Sequence, residues 1–346
     1  MGQPSRRDPV IDVHAHAMPM PLLSWLAGLE LADVSAAADG VIRLDSRVSG
    51  VGDRVPLPLA RSQHDVAVRL AEMDSVGVSH HAVSMPPFLF CSTAEDGGLV
   101  RDVVARGNAE LAAYVAGAPG RLVALGSVPV GWPGAAEQAR HCLDELGMAG
   151  IAIGSRGAGR DLDDPVNDEL WGLLAERHTF VFLHPSGVPD APRQRDFYLA
   201  QLVGYPMETA LAVARLVFGR VLERFDLTLC LAHGGGCLPA IGGRMDMGWR
   251  NKDVAHTTAR VPSFYTRRLY YDTAVFTPVL LQRLAEDVGA GHVLLGTDHP
   301  FELRDTEPLA SVAAASLSAA QTRAILWDNA AGLLGLTSAT AAVQSH

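Results

Sequence analysis

A chain of 346 residues, 48% hydrophobic and 19% charged, has the make-up of a soluble globular protein with material for a large core. Its net charge of -10 contains no block of like charge, which sets nucleic acid aside as a partner. No run is long and apolar enough to span a membrane, and the polar start with Arg6 and Arg7 leads into no apolar signal core.

Short apolar, β-branched runs predict strands over residues 10–14, 78–84, 122–128, 150–153, 180–184, 227–232, 269–272 and 292–296. Helical patterns lie between them, over 65–75, 99–116, 133–146, 165–177, 206–224, 239–250 and 278–288. Several open with Pro near the first turn, where its missing N–H costs nothing. Continuous apolar strands suit a parallel sheet buried on both faces. Eight strands alternating with helices predict an α/β fold, the (β/α)8 TIM barrel, which uses this length as one domain spanning residues 1–346. An open doubly wound sheet would need a Gly-rich turn after its first strand. Here that strand ends in His-x-His.

Two segments exceed an ordinary connection. Residues 17–63 form a long insertion after the first strand, with turn formers and a small hairpin expected around 41–51. Residues 186–205 are rich in Pro, Arg and aromatics. Both follow strands, so both belong to the catalytic face and serve as lids. Residues 305–320 read as a connection and the start of a last helix, and the small, polar residues 337–346 as a fraying tail.

The chemistry sits at strand ends. Val10-Ile11-Asp12-Val13-His14-Ala15-His16 sets two imidazoles one residue apart, on one face of a strand. Three later apolar runs also stop on His or Asp: Phe182-Leu183-His184-Pro185, Leu231-Ala232-His233-Gly234-Gly235-Gly236 and Leu294-Leu295-Gly296-Thr297-Asp298-His299. A strand-end His taken alone is most often structural, and Asp298 alone reads as a helix cap. Together His14, His16, His184 and Asp298 make a shell of three nitrogens and one oxygen. It suits zinc and tolerates manganese, iron or cobalt. An open position on such an ion holds water, whose pKa falls towards about 7.

His233, on another strand end, is the expected general acid/base, since imidazole both takes and gives a proton near neutral pH. Asp298 counts with it as catalytic. The three following glycines allow close approach of backbone and substrate. His64, His80, His81, His141, His178, His256 and His292 lack this placement, and His299 adjoins Asp298 but points away. The only lysine, Lys252, lies in a polar stretch, so no lysine suits bridging a second ion and one metal is expected. Cys91, Cys142, Cys230 and Cys237 show no Cys-x-x-Cys spacing and read as free thiols of a reducing cytoplasm.

The set His-x-His, His-Pro, His-Gly-Gly-Gly and Gly-Thr-Asp-x-Pro-Phe resembles the amidohydrolase superfamily. It is most similar to the branch of 2-amino-3-carboxymuconate-6-semialdehyde decarboxylase and its relatives. The resemblance runs from about Val10 to Gly335 and includes the 69–78 segment from Arg69 to Val78, Val203-Gly204-Tyr205-Pro206-Met207-Glu208-Thr209 and Gly243-Arg244-Met245-Asp246. It implies a metal-dependent, often dimeric barrel that cleaves a carbon–carboxylate bond. His14, His16, His184 and Asp298 match the ligands, and His233 the acid/base. Arg244 matches an arginine that holds a substrate carboxylate in the neighbouring subunit's site; its plainer reading is a helix-surface ion pair.

The chain departs from that branch in the substrate pocket. Ser186-Gly187 replace Trp-Asp after His184-Pro185, an active-site Trp falls near Phe197, and Arg54 or Arg61 lies nearest a second substrate arginine. The expected activity is a metal-dependent decarboxylase of a small aromatic or unsaturated carboxylic acid. The alternatives are a hydrolase, hydratase or cyclodehydratase on the same centre, and a non-catalytic barrel that keeps its metal for structure.

Overall fold

The eight apolar runs pair edge to edge into one parallel sheet. The computed structural model describes residues 8–49 and 53–336. The strands are β1 (Ile11–His16), β2 (His80–Ser84), β3 (Leu122–Ser127), β4 (Gly150–Gly154), β5 (Phe180–His184), β6 (Thr228–Leu231), β7 (Tyr270–Asp272) and β8 (Val293–Leu294). Each lies beside its successor in chain order. The ring closes where Val13 N donates to Leu295 O at 2.9 Å and Asp298 N to His14 O at 2.9 Å. With helices on its outside this is the expected (β/α)8 barrel.

Two strand boundaries differ from expectation in a way that serves the site. β1 runs on to His16, because Ala15 and His16 stay paired with Val83 and Ser84 after a register shift. β8 stops at Leu294, and residues 295–299 then run along β1. Gly296 is required there: a Cβ would lie 2.7 Å from Asp272 Cβ and 2.9 Å from His14 Cβ.

Two helices open on aspartate caps not singled out in the sequence. Asp65 Oδ1 accepts from Val68 N at the start of α2 (Val66–Val76), and Asp96 caps α3 (Gly97–Val115). The 206–224 pattern is two helices, α6 (Tyr205–Phe218) and Val221–Arg224, broken where Arg220 adopts φ 65°. The 133–146 pattern opens after Gly134 as α4 (Ala135–Arg140) and ends in a π-helical turn, His141–Glu145.

The 17–63 insertion holds more than the expected hairpin. It opens with α1 (Met20–Gly28), whose Leu22, Leu23 and Leu26 are buried. Flanking prolines hide this helix in the sequence, although Pro is at home in a first turn. A three-stranded antiparallel sheet follows, Ala32–Asp33, Val41–Leu44 and Pro56–Pro58, with Val41–Leu44 in the middle. The expected hairpin tip at 50–51 lies outside the described residues, as does the tail at 337–346. Among the described residues no helix is long and apolar enough to cross a membrane.

The core lies between barrel and helices, with Trp171, Phe180, Met73 and Ile11 fully buried. One polar clamp crosses it: Asn108 of α3 donates to Ser127 O and accepts from Ser127 N, each at 2.8 Å. Asn108→Ala leaves both backbone groups buried and unpaired. It should cost about 2 to 4 kcal/mol of stability, read by urea denaturation with metal loading matched to wild type.

Candidate metal centre and cavity

Histidines from β1, β5 and the end of β6 meet Asp298 at the C-terminal mouth of the barrel. The ligand atoms of His14, His184, His233 and Asp298 lie within 4.8 Å of one another. His16 Nε2 stands 3.3 Å from Asp298 Oδ1, beside His14 Nε2 at 3.1 Å. The structure therefore gathers all five histidine and aspartate positions singled out in the sequence, with His233 Nε2 3.7 Å from Asp298 Oδ2, slightly farther than His14 and His16 stand from that carboxylate.

The rings are aimed from behind. His14 Nδ1 meets Asp272 Oδ2 at 2.6 Å, His184 Nδ1 meets Pro185 O at 2.8 Å, and His16 Nδ1 faces Met85 O at 3.3 Å. Each Nδ1 thus carries the proton, and each Nε2 presents its lone pair to the centre. His14 Nε2, His16 Nε2 and Asp298 Oδ1 are buried without a hydrogen-bond partner, since their close approaches are wrongly angled for hydrogen bonds. Burying such atoms unpaired is costly, and a cation between them removes the cost.

The electrostatics agree. Burial opposes a charge on His14, yet the Asp298 charge and the Asp272 hydrogen bond outweigh it and lift the imidazole to about 10. Burial would raise the Asp298 carboxyl, but the neighbouring His14 charge and histidine contacts hold it well below the usual carboxylate range. Burial pushes His16 and His184 down, keeping them neutral. The cluster binds positive charge, and its donor set of imidazole and carboxylate fits one divalent ion.

Asp272 closes β7 and was legible only as a strand-end residue. Its second oxygen accepts from Gly234 N at 2.7 Å and from Ala274 N at 3.1 Å. One carboxylate therefore orients ligand His14 and fixes the turn that carries His233. In that turn His233 has φ 56°, and Gly234, Gly235 and Gly236 all have positive φ. Gly236 is also pressed against α6: a Cβ would lie 2.3 Å from Pro206 O. Asp298 itself has φ 68°. Left-handed backbone at two non-glycine residues is the kind of strain that gathers at functional sites.

Above the centre opens a cavity of about 540 Å3. His184, His233 and Asp298 lie in its wall, and Leu57, Phe88 and Phe301 help make the wall apolar. Leu57 and Pro58 come from the insertion and Tyr198 from the 186–205 segment, so both long segments cover the site. Among the described residues no arginine or lysine lines it. Arg54 bonds to Asp45 and the Glu30 carbonyl, and Arg61 pairs with Asp65 on the surface. Phe197 is 86% exposed and outside the cavity wall. Arg244 is exposed on α7 (Leu238–Asn251) and forms no side-chain ion pair among the described residues. His299 turns away from the centre to Glu72, 2.7 Å distant.

Residues 11–336 match the family described as Amidohydrolase. A relative named 2-amino-3-carboxymuconate-6-semialdehyde decarboxylase, from Dictyostelium discoideum, is 32% identical over 70% of this chain and 69% of its own length. One of the same name from Caenorhabditis elegans is 28% identical over 94% of each chain. Among solved structures, a dihydroxybenzoic acid decarboxylase from Polaromonas sp. JS666, with bound manganese and an inhibitor, 2-nitroresorcinol, superimposes with a TM-score of 0.75. It covers 94% of this chain and 97% of its own, at 21% identity, which shows a shared fold.

The Asp272 link yields a test. Asp272→Asn keeps size but removes the charge behind His14 and offers an N–H where only acceptors fit. Metal affinity should fall by about 10- to 100-fold, measured by competition with a chelating dye, with the fold retained by circular dichroism.

Proposed function

This chain belongs to the amidohydrolase family, and from that premise we propose a metal-dependent decarboxylase, a carbon–carbon lyase, of a small aromatic or unsaturated carboxylic acid. The observation that carries this reading is the position of His233. Its side chain is 14% exposed, lies in the wall of an apolar cavity, and sets Nε2 3.7 Å from Asp298 Oδ2. Support comes from both relatives reported above, which are named as decarboxylases.

His14, His16, His184 and Asp298 would hold one divalent ion, which supplies a Lewis-acidic charge for a substrate oxygen. Zinc is our reading of that ion; the structural neighbour from Polaromonas holds manganese. His233, as imidazolium, delivers its proton to the substrate carbon that bears the carboxylate. The bond from that carbon to the carboxylate then breaks, its electron pair stays with the unsaturated system, and carbon dioxide leaves. Neutral His233 regains a proton from water. The apolar wall solvates a carboxylate poorly and neutral carbon dioxide well, so it favours the direction of loss.

We also propose that the enzyme works as a homodimer in the cytoplasm. All four cysteines are free, three of them buried. Arg244 shares a helix face with exposed Met247, three residues on. The neighbouring α6 exposes Met207 and Leu211, four apart. A second copy seated on this face would bury that apolar surface and let Arg244 reach the partner's cavity. A guanidinium grips a carboxylate through two parallel hydrogen bonds.

Turnover of a panel of aromatic and muconate-type acids, followed by carbon dioxide release and metal content together, tests the reading. Wild type should release carbon dioxide with one equivalent of metal per chain. His233→Ala should keep its metal and lose about 10²- to 10⁴-fold in rate; metal lost in step with activity would make His233 a ligand instead. Mixing inactive His233→Ala and Arg244→Ala chains under conditions of subunit exchange should restore activity, because one site of each heterodimer then holds both residues. No recovery after verified exchange would rule the shared site out.

A further inference from the structure

Tyr205 is a phenol in the cavity wall with no use assigned to it. Its ring stands edge-on to the ligand ring of His184, 5.9 Å between centroids and 85° between planes. The residue is held from three sides. Thr209 Oγ1 donates to Tyr205 O at 3.1 Å, and Cys237 N, just past the His233 turn, donates to Pro206 O at 3.1 Å. One turn on, buried Glu208 accepts from Ser155 Oγ at 2.8 Å. Gly204 lets α6 begin this close to the preceding segment, since a Cβ there would lie 2.5 Å from Val188 Cγ1.

Tyr205 is half-buried, and its hydroxyl is placed differently from those of the fully buried tyrosines. Tyr114 donates to Ser62 O at 2.6 Å, Tyr271 to Thr266 O at 2.7 Å, and Tyr265 bonds to Glu223 at 3.3 Å. Among the described residues the Tyr205 hydroxyl has no such partner, though its ring is fixed. With no such partner, the hydroxyl is free to bond whatever enters the cavity. The cavity is where an acceptor can arrive, and among the described residues no lysine or arginine lines it.

We propose that Tyr205 is a substrate-contacting residue: its hydroxyl donates a hydrogen bond to an oxygen of the acid, beside the metal ligands His184 and Asp298. The inference rests on the carboxylic-acid reading above and adds to it a neutral donor built into the wall. A neutral donor orients a substrate oxygen without stabilising the full carboxylate charge as strongly as a guanidinium would.

The test is binding, with benzoate and 2-hydroxybenzoate as probes, measured by calorimetry on the metal-loaded enzyme. Tyr205→Phe keeps the ring against His184 and removes only the hydroxyl. Metal content and melting midpoint should stay at wild-type values, while the Kd of a probe that wild type binds should weaken about 10- to 100-fold. A Kd within about twofold of wild type would overturn the contact. So would weakened binding accompanied by lost metal, which would place the effect in the packing on His184, and so would wild type binding neither probe. Probe binding that depends on Tyr205, in an enzyme releasing carbon dioxide from no acid, would uphold the contact and overturn decarboxylation.

Discussion

The structure depends on a buried carboxylate that is never left alone. Asp272 is fully buried, and a charge in that position is tolerated only when its lone pairs are taken up. His14 Nδ1, Gly234 N and Ala274 N take them. The same three bonds define the ligand face of His14, the turn that presents His233 and the exit of β7. Asp12 does matching work behind β1. It accepts from His14 N at 2.9 Å, Thr297 N at 3.1 Å and the Thr297 hydroxyl at 2.5 Å, which ties the Asp298 turn to the first strand. Burial lifts Asp12 to about 6, while the hydrogen bonds from Thr297 and His14 pull it back towards the charged form.

Behind the centre the Nδ1 atoms of His14, His16 and His184 are engaged; in front, His14 Nε2, His16 Nε2 and Asp298 Oδ1 are not. That asymmetry makes a ligand shell. A histidine whose Nδ1 is spoken for has one tautomer and one direction for its lone pair. Arg69 extends this support one layer further. It is buried and donates to Ser62 O at 3.0 Å, to the Tyr114 hydroxyl at 2.8 Å and to the carbonyl of His16, and it meets His81 Nδ1 at 3.1 Å. A guanidinium serves four partners at once because its donors lie in one rigid plane.

The cavity follows different physics. Beyond the strand-end residues His184, His233 and Asp298, its apolar walls come largely from segments that pack on the barrel mouth. Such a wall can change its residues without disturbing the strand ends, since the two share few hydrogen bonds. The departures at Ser186, Gly187 and Phe197, expected in the substrate pocket, lie outside the cavity wall. Ser186 turns into a buried hydroxyl cluster with Ser155, 3.5 Å apart, and Phe197 turns outward to solvent.

The sequence by itself determined the barrel, its eight strands and the five residues of the centre. Strand periodicity and the rule that strand C-termini share one face are local or nearly so, and His14, His16, His184, His233 and Asp298 are all strand-end residues. Helix α1 was hidden by its prolines, and the middle strand of the insertion could be read but not its two partners, which are only two and three residues long. Only the tertiary structure decided the rest. That Asp272 would back His14 depends on which strand ends become neighbours when the ring closes, 258 residues apart in sequence. That Arg54 and Arg61 would stay at the surface while Tyr205 entered the wall depends on how loops pack, and no period in the sequence records a loop's direction. Regular elements obey spacing because backbone hydrogen bonds repeat; loops obey contacts, and contacts exist only after folding.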